Sequence, residues 1–272
     1  MPVWKLGIEY EGTRYRGWQE QKNARTVAGE IRRAAENYFG MRVELTGAGR
    51  TDAGVHALEQ VARLKAGRAV DALELMRAIN DDLPPDINIL RVERTNNDFD
   101  PRRDATSRQY LYQISTRRTA FAKRLVWWVK DGLDIDAMMR SCVLIKGRRD
   151  FRYFCEMRED ERSTIVDVMQ ATIDADGDMI LFRIAATHFL WKMVRRLLGT
   201  LVEIGRGHIS EEDFRLLFTG REVKSRGTVY SIAAHTAPPS GLFLERVDYA
   251  QRPEQRLSRS SPVLRKHTGK SR

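Results

Sequence analysis

A chain of 272 residues with 42% hydrophobic and 31% charged side chains is long and apolar enough for one large or two small folded domains, which excludes disorder along its whole length. No apolar run reaches bilayer length, so no membrane span is expected. Lys and Arg number 47 against 37 Asp and Glu, a net charge of +10. Six of those ten surplus charges sit in residues 251–272, where seven basic side chains face Glu254 alone. That segment reads as a disordered basic arm suited to a polyanion. Two cysteines, Cys142 and Cys155, build no disulfide framework, and residues 1–7 lack a signal-peptide pattern; both point to a reducing, cytoplasmic setting.

In chain order, residues 3–10 read as a strand, and Thr26 opens a helix with Val27, Ile31, Ala34, Ala35 and Tyr38 on one face and Gly40 as its C-cap. Residues 42–45 form a weak strand, and residues 55–65 a strand buried on both faces. Asp71 with Glu74 starts a second helix that Pro84–Pro85 ends, and residues 87–94 are strand again. The pattern then repeats: a strand at 109–116, a helix capped by Asp134 and running toward Gly147, and a hairpin of 165–173 with 179–185. A long helix carries Leu190, Val194, Leu197, Leu201 and Ile204, an extra short helix opens at Ser210, and a strand closes at 242–249. This order predicts an α/β (α+β) fold of two tandem ferredoxin-like βαββαβ units, a pseudo-symmetric pair of mixed, mainly antiparallel sheets. The expected domains are 1–106 and 107–250, followed by the basic tail 251–272.

Several familiar sites are excluded by spacing. Asp174, Asp176 and Asp178 lie in a hairpin turn, not in a calcium loop, which needs flanking helices and a closing Glu. Five histidines show no zinc spacing, so no metal is expected. Gly47-Ala48-Gly49 lacks the third glycine of a dinucleotide fingerprint, and no other cofactor motif is present. What stands out is Thr46-Gly-Ala-Gly-Arg-Thr-Asp-Ala-Gly-Val-His-Ala57, one carboxylate in a glycine-rich turn entering a central strand. Glycines let a bulky ligand approach, and Arg50 is placed to hold Asp52 ionised or to touch phosphate. A turn in which Asp52 caps its own backbone fits the spacing equally well. Basic and aromatic residues interleave at Arg14-Tyr-Arg16-Gly-Trp-Gln19 and at Phe189-Leu-Trp-Lys192-Met-Val-Arg195-Arg196, a pattern suited to RNA held in a cleft between the sheets. The Trp127-Trp128 pair fits either core or base platform.

These residues resemble the TruA-type tRNA pseudouridine synthases over nearly the whole chain to Tyr249. Tyr10-Glu-Gly-Thr13 with Gly17-Trp-Gln-Glu-Gln21 is similar to the family's opening motif, and Gly49-Arg-Thr-Asp-Ala-Gly-Val-His-Ala57 to its catalytic signature. Asp98-Phe-Asp-Pro-Arg102 with Arg108-Gln-Tyr-Leu-Tyr112 resembles the tyrosine motif. Phe189-Leu190, Met193-Val-Arg195 and Gly199-Thr-Leu201 resemble the third motif, and residues 237–244 the closing strand. The resemblance implies that Asp52 is the catalytic carboxylate, that Arg195 pairs with it, that Tyr110 packs on the target base and that Arg50 holds the flipped nucleotide. It also implies a homodimer, no cofactor, and uridines on the 3′ side of the tRNA anticodon stem-loop as targets. Arg14, Arg16, Gln19, His56, Arg102, Lys192 and Arg196 are the expected further RNA contacts.

The chemistry suits these residue types. Making pseudouridine breaks the N1–C1′ bond, turns the uracil and forms a C5–C1′ bond, with no redox step or group donor. An ionised carboxylate serves as nucleophile or as the base of an elimination, and the sequence does not choose. The base must leave its stack at a cost of a few kcal/mol, which calls for a stacking ring and phosphate clamps. Without the family motif Tyr110 reads as an ordinary strand residue. The chain departs from the family pattern at Arg148-Arg149 before Asp150-Phe151, where a histidine is more usual, and at Ser163 before Thr164-Ile165, where an arginine is more usual. The competing class is a non-catalytic RNA-binding protein or RNA chaperone on the same scaffold. A tRNA-cleaving or other tRNA-modifying enzyme is a further alternative, but its usual histidine pairs or metal ligands are missing.

Overall fold

Alternation along the first strand sets up the first core. In β1 (Val3–Tyr10), Trp4, Leu6, Ile8 and Tyr10 are buried together with Val27, Ile31, Ala34 and Ala35 of α1 (Val27–Phe39). A 3.6-residue period on the helix and a two-residue period on the strand bring these side chains to one interface. Thr26 caps α1 by accepting from the Gly29 N–H, and Gly40 stops it in the left-handed region at φ 66°. The chain continues through β2 (Glu44–Gly47), β3 (His56–Lys65), α2 (Ala72–Asp82) and β4 (Ile87–Thr95), the expected strand–helix–strand–strand–helix–strand order. Asp71 caps α2 by accepting from the N–H groups of Leu73 and Glu74, while the Glu74 carboxylate accepts from the Tyr38 hydroxyl at 2.6 Å.

The computed structural model describes residues 1–157 and 163–250. The basic tail expected at 251–272 lies outside the described residues. The chain divides into two units, one built from Met1–Tyr110 and the closing segment from Phe243, the other from Leu111–Leu242.

In the first unit β1 pairs antiparallel with β4 on one edge and β3 on the other, with Leu6 opposite both Val92 and Ala62. The far edge of β3 is shared. Its C-terminal half pairs antiparallel with β2, Gly47 facing Ala62, while His56 and Ala57 pair parallel with Phe243 and Leu244 of the last strand. This pairing groups the closing strand with the first unit, whereas the sequence order placed it in a domain ending at 250.

β5 (Ala105–Ser115) starts in the first unit and ends in the second, which continues with β6 (Trp127–Trp128), α3 (Ile135–Val143) and β7 (Gly147–Asp150). Then follow β8 (Ile165–Asp176), β9 (Met179–Ala186), α4 (Met193–Gly205), α5 (Glu211–Phe218), the small hairpin β10 (Lys224–Ser225) and β11 (Thr228–Val229), and finally β12 (Leu242–Tyr249). β8 and β9 form the expected hairpin, turning at Gly177 with φ 60°. α5 opens on a full capping box between Ser210 and Asp213. The long helix starts later than its apolar period suggested. Lys192 adopts φ 62°, so helical geometry begins only at Met193, and Leu190 is buried ahead of it. The chain is a mixed α+β protein, and no helix among the described residues is long and apolar enough to cross a membrane.

Candidate active site

Asp52 sits between β2 and β3 on a tight turn. The Val55 N–H donates to the Asp52 carbonyl at 3.1 Å, and Gly54 takes φ 78° at the third turn position, where a type II turn requires glycine. The opening motif braces this turn from outside. The Trp18 N–H donates to the Thr51 carbonyl at 3.1 Å, and the Gly54 N–H to the Tyr15 carbonyl at 3.3 Å. The Tyr10 hydroxyl and the Thr51 Oγ1 share a hydrogen bond of 2.8 Å. Two glycines make this approach possible. A Cβ on Gly12 would fall 1.9 Å from the Val55 carbonyl oxygen, and one on Gly17, itself at φ 91°, would fall 2.5 Å from the Thr51 oxygen. The opening motif and the carboxylate turn are one built object.

The glycine-rich side of the turn is fixed as well. Gln60 donates to the Gly49 carbonyl at 3.0 Å, and the Ala48 N–H to the Val61 carbonyl at 2.8 Å. Arg108 reaches from β5 to the Ala48 carbonyl at 3.1 Å and to the Arg102 carbonyl at 2.6 Å, and burial pulls its guanidinium below the ordinary arginine value. Asp52 is left half-buried and Arg50 exposed. Arg14, Arg16, Gln19 and Arg102 are exposed on this unit too, the first three on the segment that grips the turn. Tyr110 is half-buried against the core that contains Tyr10 and Trp18.

His56 answers differently from its sequence expectation as an RNA contact. It is buried, its Nδ1 accepts the Gly12 N–H at 2.9 Å, and its ring lies 4.7 Å from that of Phe243. An enclosed ring bonded in this way positions the loop and offers RNA no surface.

In the second unit the remaining expected residues gather at the start of α4. Every residue of that helix except Arg195 is buried. A helix buried around its whole circumference belongs to a core, so the half-exposed Arg195 is an exception within it. Its Nε donates to the Ala237 carbonyl at 2.7 Å, while the Ala237 N–H returns a bond of 3.0 Å to the Arg195 carbonyl. Lys192 and Arg196 both bind Glu156, at 2.6 and 2.9 Å, and hold its carboxyl below the usual range. Arg196 is buried and also donates to the Cys155 carbonyl. These bonds tie the 155–156 segment to the helix, and they leave Arg196, a possible RNA contact from sequence, buried in this chain.

Tyr10, Trp18, Thr51, Gln60, Arg108, Glu156 and Ala237 were not singled out as site residues by sequence. Tyr10, Trp18, Thr51, Arg108 and Ala237 stood inside recognised motifs, but nothing in their spacing showed which contacts they make. Among the described residues no three His, Cys, Asp or Glu side chains converge as a metal site.

The α+β fold presents the half-buried Asp52 on a braced turn, in a unit that also exposes Arg14, Arg16, Arg50 and Arg102. The profile of a family described as tRNA pseudouridine synthase matches residues 7–102 and 142–250. The chain is 38% identical over 258 residues to the tRNA pseudouridine synthase A of Brucella ovis, an alignment covering 92% of this chain and 99% of that protein. The tRNA pseudouridine synthase A proteins of Brucella canis and Brucella suis match with the same identity and coverage. The chain belongs to the tRNA pseudouridine synthase family. It is an isomerase acting on tRNA, converting uridine to pseudouridine.

Proposed function

We propose that Asp52 is the carboxylate that carries the isomerisation, and that the uridines it acts on lie on the 3′ side of the anticodon stem-loop. The observation that carries this reading is the bracing of the Asp52 turn by the Tyr15, Trp18 and Tyr10 contacts. A carboxylate held by its backbone neighbours keeps its position when the flexible substrate arrives, and such preorganisation lowers the barrier. As nucleophile or as base, Asp52 acts while the N1–C1′ bond breaks, and the uracil turns before C5 bonds to C1′. Tyr110 offers its half-buried ring to the extruded base, Arg50 holds the flipped nucleotide, and Arg195 supports the charge on the carboxylate. The protein works in the cytoplasm as a homodimer without a cofactor.

Asp52→Asn tests the central assignment. Pseudouridine formation should fall by about a thousandfold or more, the order seen when a nucleophile is removed, with thermal unfolding and tRNA affinity nearly unchanged. Activity within about tenfold of wild type would remove Asp52 from the role. Mapping pseudouridines in tRNA treated with the purified protein tests the position, since product confined to another arm would refute the anticodon assignment alone.

A further inference from the structure

The loop between β5 and β6 displays side chains that a folded protein ordinarily hides. Phe121 is fully exposed and Trp128 is exposed, while their neighbours Ala122, Val126 and Val129 are buried. The loop is constructed to do this. The Leu125 N–H donates to the Ala122 carbonyl at 2.8 Å, Gln113 donates to the Leu125 carbonyl at 3.0 Å, and Ser115 donates to the Arg117 carbonyl at 2.6 Å. With Ala122 and Val126 anchored in the core, Phe121 is held outward. Trp128 is fixed by the pairing of β6 beside Ser115.

Along the loop itself the charge has one sign. Residues 117–130 contain five basic side chains and no acidic one. Arg117 engages Asp178 at 2.9 Å, and the next acid along the chain, Asp131, is engaged by Arg206 at 2.8 Å. Arg118, Lys123, Arg124 and Lys130 are all exposed, and the Arg118 guanidinium lies 5.8 Å from the Trp128 ring centroid. Exposed aromatic faces among cations match the two features of single-stranded RNA, a base with a π-face and a phosphate with a charge. A second copy of this chain is the poorer fit, because a two-fold contact through the loop sets like charges against each other.

We propose that the 117–130 loop is a tRNA-docking ledge, on which unpaired bases stack against Phe121 and Trp128 while Arg118, Lys123, Arg124 and Lys130 meet the backbone. The proposal rests on the tRNA specificity of the family and is independent of the Asp52 assignment. The ledge contributes affinity and no reacting group, so its signature is in binding and KM, not in kcat.

The test uses the full chain and unmodified tRNA. Affinity is measured across a salt series for wild type, Phe121→Ala, Phe121→Trp and the triple variant Arg118→Ala/Lys123→Ala/Arg124→Ala, with kcat, KM and native mass for each. Phe121→Ala should weaken binding about fivefold or more, as loss of a stacked base does, and Phe121→Trp should restore it. The triple variant should raise KM and make the log–log salt slope shallower by about 0.7 for each lost phosphate contact. Turnover at saturating tRNA should stay unchanged in all. Unaltered affinity and slope overturn the proposal. A changed native mass with wild-type affinity assigns the loop to a second copy and overturns it too. A collapse of kcat at saturation overturns it by placing the loop in the chemistry. Failure of the Asp52→Asn test leaves each of these readings intact.

Discussion

The Asp52 turn and helix α4 hold their functional residues by opposite means. The turn is kept in place by backbone and hydroxyl bonds from the 10–18 segment. Helix α4 is buried throughout apart from Arg195, and the charged groups on it and at its ends meet opposite charges: Lys192 and Arg196 share Glu156, and Glu203 takes Arg206, with His208 bonded to the same carboxylate. A turn can be fixed by many weak neutral bonds because water satisfies whatever they leave. A buried helix cannot leave a charge unmatched, since desolvation is costly. The two regions should therefore fail under different insults.

The largest effects fall where both depend on the same device, a glycine under a foreign carbonyl. A Cβ on Gly199 of α4 would lie 1.7 Å from the His235 oxygen, and one on Gly12 would lie 1.9 Å from the Val55 oxygen. Neither backbone atom can step aside as a flexible side chain would. Gly199→Ala and Gly12→Ala should each lower stability by roughly 3–5 kcal/mol, the extreme of single substitutions, read from urea unfolding. Gly49→Ala is the contrast, with nothing within 4 Å of the new methyl, and should shift stability by less than about 0.5 kcal/mol. Equal tolerance at the three positions would show that the close approaches are not what holds the two regions.

Acid separates the regions next. Glu203 is buried beneath His208 at 2.6 Å, Arg206 at 2.6 Å and His235 at 3.7 Å. Burial alone would raise its pKa, but the His208 and Arg206 bonds and the nearby His235 charge outweigh it and hold the carboxyl below its ordinary value. A carboxyl depressed on folding contributes stability above its unfolded pKa, and loses it as pH falls through the lower folded one. Glu203→Gln breaks a buried ion pair and should cost about 3 kcal/mol at neutral pH. It should also flatten the loss of stability below about pH 4.5. An unchanged acid limb in denaturant titrations would remove Glu203 as its source.

Much of this was legible from residues. Thr26, Asp134 and Ser210 announced helix starts because a cap is a local device, read from one side chain and the N–H groups beside it. Gly177 announced the hairpin for the same reason. The late start of α4 was not legible, because the apolar period runs straight through Leu190 and only the left-handed Lys192 interrupts it. The exchange of the closing strand to β3 was also hidden, since strand pairing is decided by distant partners. At the site, the sequence marked Asp52 through its glycines. It could not mark Arg108 or Ala237, whose contributions are contacts with residues 60 and 42 positions away.

The smallest effect tests the turn itself. The Tyr10 hydroxyl is buried, and burial pushes its pKa far above the ordinary phenol range, so it stays protonated and keeps its bond to Thr51 at any working pH. Tyr10→Phe removes that bond without removing the ring that packs near Trp18. The net loss should be about 1 kcal/mol, the usual worth of a buried neutral hydrogen bond. Thr51→Val should cost a similar amount, and the double variant should cost less than the sum, because both substitutions delete one interaction. Since Thr51 immediately precedes Asp52, turnover should fall a few-fold while KM for tRNA holds. If stability drops as expected and kcat does not move, the backbone bonds from Trp18 and Tyr15 suffice to aim the carboxylate. If kcat falls with KM steady, the hydroxyl pair is part of that aim.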